Sequence, residues 1–423
     1  MAQLTGATIN VYSERPLTIE AGARGTAAIA LPLDWYEEGK IITLNADDSP
    51  LSKLGHPLDD LLEIRELMKR ASKVLIYPLR SGGAKASAPL GGGLTATAAK
   101  QGARGNAISV TVAKSGELWQ VKTFVDNSVA DSQLVANAAD LKANDFITIS
   151  GEGALAAATA ALTGGGDGTV ADAAYDGFLE RLKTEAFQTI AYTGSDAAIK
   201  QKLADYIRRE RDDEDKFIQA CVGNFTADFE GIISFANGVI LVDGTVVDAN
   251  LASAWLAGAT AAAAVNESLT YDSYDGADGV TEKLTRSQQL VYKNQGLGCF
   301  ILNNGRAKVE SDINTLVTYT VQKQKDFCKN RVLRVIDGVC TDIKTVFDSS
   351  FAGAENNNAA GRNRFKASIC AYMTALQEQN AVEEFVADDV SVKAGADKDT
   401  VVVDLRIKPV DSMEKANITV RVR

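Results

Sequence analysis

The hydrophobic pattern of this chain changes character twice along its length, and these changes restrict the folds that it can adopt. Residues 59–71 place apolar side chains on one face of a helix, and KVLIYPL (73–79) follows as a buried strand. From residue 94 to 163 the pattern becomes short alternating strands separated by turn residues. After 169 helices and strands alternate again, with helices predicted over 172–186, 196–211 and 252–265. We therefore predict a multidomain protein of α/β and all-β type, in which an all-β domain separates two α/β segments.

Glycine-rich segments bound the all-β domain, and the pattern changes once more near residue 313. SGGAKASAPLGGG (81–93) has the composition of a linker, and LTGGGDGT (162–169) is typical of a turn. Further along, the periodicity predicts a long helix over 315–347 with a break near Gly338, a second helix over 363–385, and strands over 400–410 and 418–423. This last part is expected to be an α+β domain.

The overall charge and hydropathy exclude two classes of partner. The formal net charge is -11 and the sequence pI is about 4.9, whereas nucleic-acid binders present excess Lys and Arg to phosphates. No apolar run reaches the roughly 20 residues that a membrane-spanning helix needs, and the start of the chain does not resemble a signal peptide. We expect no nucleic acid, no membrane insertion and synthesis in the cytoplasm.

The residues on which most enzyme and metal sites depend are scarce. His56 is the one histidine, and its setting in KLGHPLDD indicates a polar turn residue. The chain has 5 cysteines, widely spaced among apolar neighbours and without a C-x-x-C pair, which is typical of core thiols rather than of disulfides or zinc ligands. We predict no catalytic, cofactor-binding or metal-binding residues, and no enzyme activity.

Two further motifs could be functional sites. GGGDG (164–168) has the glycines of a phosphate-binding loop but no following Lys, so we interpret it as a turn that joins domains. The charged run from Arg208 to Lys216 is interpreted as a solvated helix end, with an intersubunit surface as the alternative.

A local excess of positive charge lies between Gln322 and Arg334 in this acidic chain. Lys323, Lys325 and Lys329 belong to it. Such an excess can form a docking patch, but it can equally be the polar face of an amphipathic helix, and the spacing fits both interpretations.

The two termini carry short alternating segments that suit pairing with another sheet. Ile9 and Val11 lie on one side of the first segment, and Ile418, Val420 and Val422 lie on one side of the second, with Arg421 and Arg423 on the other side. Since unpaired strands need partners, they can add to the edge of a neighbouring sheet. An ordinary hairpin strand within the same domain is the alternative.

The sequence as a whole resembles the tail sheath proteins of contractile phages, particularly the short sheaths of defective prophages and R-type bacteriocins. The likeness extends over essentially the whole chain. It rests on these segments in this order: GARGNAISVTV (102–112), LTGGGDGT (162–169), ADFEGIISFANGVILVDG (227–244), AWLAGATAA (254–262), ESDINTL (310–316), KNRVLRVIDGV (329–339) and IKPVDSMEKANITVRVR (407–423).

The resemblance implies a domain plan with extended arms at both ends. We expect an N-terminal linking arm (1–25), an α/β segment (26–91), a β-sandwich (92–163), a central subtilisin-like α/β domain without protease function (168–312), a C-terminal domain (313–406) and a C-terminal linking arm (407–423). The residues expected in the arm strands are Ile9, Val11, Ile418, Val420, Arg421, Val422 and Arg423, and those expected to contact the tube are Lys323, Lys325 and Lys329.

The resemblance also implies how the protein would work. Copies of the chain would stack as rings, six-fold in symmetry, around an inner tail tube, with baseplate and tail terminator proteins at the ends. Contraction would drive the tube through a target envelope. Assembly would take place in the bacterial host cytoplasm before release of the particle. The competing hypotheses are an α/β enzyme carrying a β-sandwich module, and a surface module of a non-contractile virion.

The arm hypothesis predicts the effect of a truncation. Removing residues 412–423 should leave a folded monomer that cannot form tubes, because the strand that joins neighbours is lost. Electron microscopy of the purified truncated chain beside the full chain measures this. Normal tubes from the truncated protein would contradict the hypothesis.

Overall fold

The computed structural model describes residue 19 and residues 22–422. Its first segment contributes strands to a sheet that a later segment completes. The elements of this segment are β1 (Thr26–Leu31), β2 (Ile42–Asn45), α1 (Pro50–Leu54), α2 (Leu62–Met68), β3 (Lys73–Pro78) and β4 (Arg80–Ser81).

A β-sandwich follows, as the alternating pattern predicts. Its strands are β5 (Ser87–Gly91), β6 (Leu94–Ala98), β7 (Ile108–Ser115), β8 (Leu118–Val125), β9 (Ser128–Val135), β10 (Ile147–Ser150) and β11 (Ala158–Ala161). They form two antiparallel sheets, in the orders β10-β6-β5 and β11-β7-β8-β9, around one shared core. Because β5 pairs with β6, the sandwich begins before the expected residue 92.

The chain then returns to alternating helices and strands. The elements are β12 (Thr169–Val170), α3 (Ala174–Leu182), β13 (Thr189–Ala191), α4 (Ala197–Asp212), β14 (Gln219–Gly223), β15 (Ile232–Phe235), β16 (Val239–Leu241), β17 (Val246–Val247), α5 (Ala252–Ala262), β18 (Ala277–Val280), α6 (Arg286–Asn294), β19 (Phe300–Asn303) and β20 (Arg306–Val309). The predicted helices over 172–186, 196–211 and 252–265 correspond to α3, α4 and α5.

One six-stranded sheet joins the segments before and after the sandwich. Its order is β15-β14-β13-β1-β3-β2, parallel except for the edge strand β2. Consequently the expected α/β segment at 26–91 and the expected central domain at 168–312 share a single sheet.

Both faces of this sheet are covered, which explains why its strands are apolar on both sides. Ala27 and Ile29 of β1 face a core that includes residues of α2 and α5, whereas Ala28 and Ala30 face a core that includes residues of α3 and α4. Helices α2 and α5 approach so closely that a Cβ on Gly258 would lie 2.3 Å from the Leu67 carbonyl oxygen. Only glycine fits there without displacing backbone.

The C-terminal part differs from the prediction in its first helix. The elements are α7 (Asn330–Val346), extended by a π-turn at Phe347–Phe351, then α8 (Ala359–Glu378), β21 (Val390–Ala394) and β22 (Val401–Leu405). The predicted helix over 315–347 is wrong before Asn330, and α7 runs through Gly338 without a break. Tertiary bonds hold the earlier segment in another conformation: the Asp228 carboxylate accepts from the amides of Val317 and Thr318, both at 2.8 Å.

A buried ion pair fastens α7 to the α/β sheet domain. The Arg211 guanidinium donates to both carboxylate oxygens of Asp337, at 2.8 and 2.7 Å, and the two side chains are only 5% and 10% exposed. Nearby, Asn330 Nδ2 donates to Asp312 at 2.8 Å. The interpretation of the charged run 208–216 as a wholly solvated helix end is therefore wrong for Arg211, because α4 packs against α7 at this point.

Breaking this pair should destabilise the protein strongly. Arg211→Met leaves the Asp337 carboxylate buried without its partner, and we expect the free energy of unfolding to fall by about 3–5 kcal/mol. The double change Arg211→Met, Asp337→Leu should recover most of this loss, because it removes the stranded charge. Urea unfolding and calorimetry of the purified chains measure both.

The matched control is Arg364→Met. Arg364 pairs with Glu355 on the surface and is 50% exposed, so its loss should cost less than about 1 kcal/mol. Equal losses for the two arginines would contradict the assignment of Arg211 as the buried link.

Candidate intersubunit interface

An apolar groove of about 1140 Å3 runs between α7 and the free edge of β22. Strand β22 pairs with β21 and, within residues 22–422, with no other strand. The groove lining includes Val401, Val403 and Leu405 of β22 but no residue of β21, which places the groove along the unpaired edge. Such an edge presents free backbone donors and acceptors to an incoming strand.

The residues that line the groove continue the C-terminal core and are only partly buried. Val339 and Ile343 of α7 and Phe347 line it. Ile343, Phe347, Val401, Val403 and Leu405 are each only partly buried against the core formed by α7, α8 and β21. Apolar side chains left half-exposed along a strand edge indicate a surface that another chain covers.

The start of the C-terminal arm lines this groove through Ile407, Pro409 and Asp411, whereas residues 412–422 are not part of the lining. Within residues 411–422 the structure has neither helix nor strand, so the predicted strand at 418–422 is not formed in the single chain. Ile418, Val420 and Val422 are 83%, 80% and 94% exposed. Its backbone pairs with no strand of the described chain. Ile9, Val11 and Arg423 lie outside the described residues, and Arg421 is exposed.

The root of the N-terminal arm is fixed to both neighbouring domains. Ile19 is buried in the C-terminal core, and the Gly22 amide donates to Asp342 at 3.1 Å. Arg24 donates to the Ala263 and Thr260 carbonyls at 2.7 and 3.2 Å, where a cation also complements the dipole at the C-terminus of α5. Burial and the nearby Arg334 lower the pKa of Arg24 to about 10.

The root of the C-terminal arm is held by charged groups. Lys329 forms ion pairs with Glu414 and, at 3.4 Å, with Asp411, and the Thr270 hydroxyl donates to Glu414 at 2.7 Å. Burial alone would raise the pKa of Glu414, but the bonds from Lys329 and Thr270 outweigh it and the pKa is lowered. The same pairing raises the pKa of Lys329 against the opposing effect of burial.

The three lysines of the predicted patch have different surroundings. Lys323 forms ion pairs with Glu230 and, at 3.9 Å, with Asp212. Lys329 forms its ion pair with Glu414 of the C-terminal arm. Lys325 is exposed, and it forms no ion pair within the described part of the chain. Neither Lys323 nor Lys325 lies on α7, so the patch is not one face of a helix.

The other motifs have structural roles. Asp167 of GGGDG pairs with Arg80 and accepts from the Ala103 amide at 2.6 Å, so this turn ties the sandwich to the sheet domain. His56 Nε2 lies 2.8 Å from an Asp34 oxygen. No group of three or more His, Cys, Asp or Glu that could hold a metal occurs in the described residues. Among them, no helix is both long and apolar enough to cross a membrane.

Sequence reasoning missed the groups that fix the two arms. Glu414, Thr270 and Asp342 have no motif around them, because their roles come from contacts between residues far apart in the chain. Only the apolar alternation of residues 418–422 was visible in the sequence.

Four family models match successive parts of the chain: "Tail sheath protein Gp18 domain III N-terminal region" at 24–79, "Phage tail sheath protein beta-sandwich domain" at 81–167, "Phage tail sheath protein central domain" at 168–315 and "Phage tail sheath C-terminal domain" at 322–423. The chain belongs to the phage tail sheath family. It is a tail sheath protein, as the sequence resemblance indicated.

Individual proteins match this chain over nearly its whole length. The crystal structure of a sheath tail protein from Desulfitobacterium hafniense is 41% identical, with a TM-score of 0.85, and covers 99% of this chain and 100% of that one. The phage-like element PBSX protein XkdK of Bacillus subtilis is 33% identical, over 96% of this chain and 94% of its own. The contracted helical sheath of the anti-feeding prophage shares the fold, with a TM-score of 0.62 at 12% identity.

Proposed function

We propose that this chain polymerises by strand donation, residues 418–422 of one copy adding to the free edge of β22 in another. The observation that carries the proposal is the coexistence of an exposed alternating strand sequence and an apolar groove that it does not occupy in its own subunit. In such pairing, backbone hydrogen bonds supply affinity and alternate side chains enter pockets. Ile418, Val420 and Val422 would enter the groove, and Arg421 and Arg423 would remain at its rim.

The N-terminal arm would also pair with strands of neighbouring subunits. Ile9 and Val11 have the alternation that strand pairing requires. Because donor and acceptor surfaces differ, the contact is heterologous and builds an open helical array rather than a closed dimer. Stacked six-fold rings around an inner tail tube, capped by baseplate and tail terminator proteins, are the assembly that we propose.

Contraction would follow from a change of packing between rigid bodies linked by these arms. The fold shared with a sheath solved in its contracted state supports this proposal. Strand pairing can persist while the domains bury more surface against one another, so an extended sheath would be metastable and would need no fuel. The contraction would drive the tube through a target cell envelope.

The likeness to the PBSX protein favours a particle of the defective-prophage or R-type bacteriocin kind, assembled in the host cytoplasm and then released. We also propose that the sheet domain is a subtilisin-like fold without protease function. Its parallel sheet with helices on both faces supports the first part. The position of His56 supports the second part, because a Ser-His-Asp triad needs a histidine to move the proton and the one histidine of the chain precedes residues 168–312.

Contact with the tube is proposed for the lysine patch, with Lys325 as its leading residue. Lys323 and Lys329 already have carboxylate partners within the subunit, whereas Lys325 is exposed. A free cation at an interface contributes to steering and register more than to affinity.

A substitution inside the groove tests the strand donation. Val403→Asp places a charge where the incoming strand would exclude water, a penalty of about 3 kcal/mol or roughly a hundredfold in the association constant. We expect a folded monomer that no longer forms tubes. Val402→Asp is the matched control, because Val402 is the next residue of β22 and points outward, 51% exposed.

Labelling of Cys340 provides a second readout of the same experiment. Cys340 lines the groove, so assembly should protect it from maleimide in the parent chain and in Val402→Asp. Tubes from Val403→Asp, or unprotected Cys340 within tubes, would refute strand donation into this groove. Small closed oligomers with substrate turnover, or a surface-binding module without tubes, would favour the competing hypotheses.

The tube contact is tested by reversing one charge. Lys325→Glu should still form sheath-only tubes but should co-assemble poorly with inner tubes, with a loss that shrinks as the salt concentration rises. Co-sedimentation with preformed tubes measures it. The control is Lys142→Glu in the sandwich, which changes the net charge equally, and unchanged co-assembly of Lys325→Glu would reject the proposal.

A further inference from the structure

Glu414 stands apart from the rest of the C-terminal arm. Its side chain is only 9% exposed, whereas the neighbouring Met413 is fully exposed. Its carboxylate has partners on both sides of a domain junction: Lys329 precedes α7, and Thr270 belongs to the sheet domain. The Thr270 hydroxyl oxygen in turn accepts from the Asp312 amide at 2.9 Å, which fixes the position of the hydroxyl.

The last backbone bond of the C-terminal domain lies four residues earlier. The Val410 amide donates to the Ala381 carbonyl at 3.0 Å, and Val382 forms a bridge with Pro409. Between Val410 and Glu414 the backbone pairs with no other segment in the described structure. The contacts of Asp411 and Glu414 with Lys329, and of Glu414 with Thr270, are what tie this stretch to the body of the subunit.

We infer that Glu414 is a positioning residue that sets the reach of the donated strand. This inference rests on the proposed strand donation. From Glu414, Ile418 and Val422 can extend at most about 13 and 26 Å, at roughly 3.3 Å per residue. Without the Glu414 contacts the tether begins at Asp411, which Lys329 still holds, and each reach grows by about 10 Å. A shorter tether confines the strand to a smaller volume, which raises its effective concentration at one acceptor and excludes more distant ones.

The reach of the arm determines which surface can accept the donated strand. The acceptor must be the β22 edge of a second copy whose groove lies within about 26 Å of the Glu414 carboxylate. The Glu414 contacts therefore select one neighbour among the copies around each subunit, and through it one lattice spacing.

Hydrogen exchange of the monomer tests whether the contacts hold the arm. Glu414→Gln removes the ion pair but keeps an acceptor for Thr270, and Lys329→Met removes the pair from the other side. Exchange of amides 411–417 should be faster by about tenfold in Glu414→Gln and by more in Lys329→Met, which also removes the ion pair with Asp411. The double variant should exceed Lys329→Met only slightly, because the Lys329–Glu414 pair is already lost in each single variant. Glu383→Gln is the control, since Glu383 forms an exposed pair with Lys408 of the same segment.

Electron microscopy of tubes from the same variants tests the reach. We expect tubes of Glu414→Gln and Lys329→Met to show a broadened axial repeat, and tubes of Glu383→Gln to match the parent. Unchanged exchange, or faster exchange with an unchanged repeat, would overturn the inference while leaving strand donation intact. If the parent chain itself forms no tubes, or if Val403→Asp still forms them, strand donation fails and the inference about reach fails with it.

Discussion

The parallel pairing of β1 with both β3 and β13 is the contact on which the rest of the subunit depends. It brings together two segments that are separated in sequence by the whole β-sandwich. Because β1 is buried on both faces, the helices above and below the sheet all pack against the same short strand or its neighbours. The sandwich then projects from the short β4 and β12 pair, braced by Asp167. The two segments on either side of the sandwich are therefore one structural unit.

Much of this architecture follows from local patterns. The strand and helix periods located the sandwich and helices α3 to α5, since alternation and amphipathicity are properties of adjacent residues. The helix predicted over 315–347 is wrong before Asn330 because the amides of Val317 and Thr318 bind the Asp228 carboxylate. Asp228 lies about 90 positions earlier, beyond the range over which helical periodicity is read. The strand predicted over 418–423 is a different case. Residues 418–422 have the pattern of a strand but pair with no strand of the described chain, and their pairing with a neighbouring subunit stays a prediction.

The candidate interface also has features that the sequence predicts and features that only the tertiary structure shows. Apolar alternation in the arm was readable, whereas the groove depends on how α7 meets β22 and could not be read from either element alone. The lysine patch shows the limits of charge counting. Lys323 and Lys329 pair with carboxylates of the same subunit, whereas Lys325 forms no ion pair among the described residues, and only tertiary structure distinguishes the three. Local charge excess thus indicates a polar surface but not its partner.

Both arms begin at the same place in the subunit, the boundary between the sheet domain and α7. In the strand donation that we propose, force passed along an arm would reach the body of the subunit where the arm begins. Groups at the boundary between the sheet domain and α7 hold both starting points: Arg24 and Asp342 for one arm, Lys329 and Thr270 for the other. The buried pair of Arg211 and Asp337 crosses the same boundary. Because hydrogen bonds to charged groups are stronger than neutral ones, such a force would act on both domains together and not on one alone.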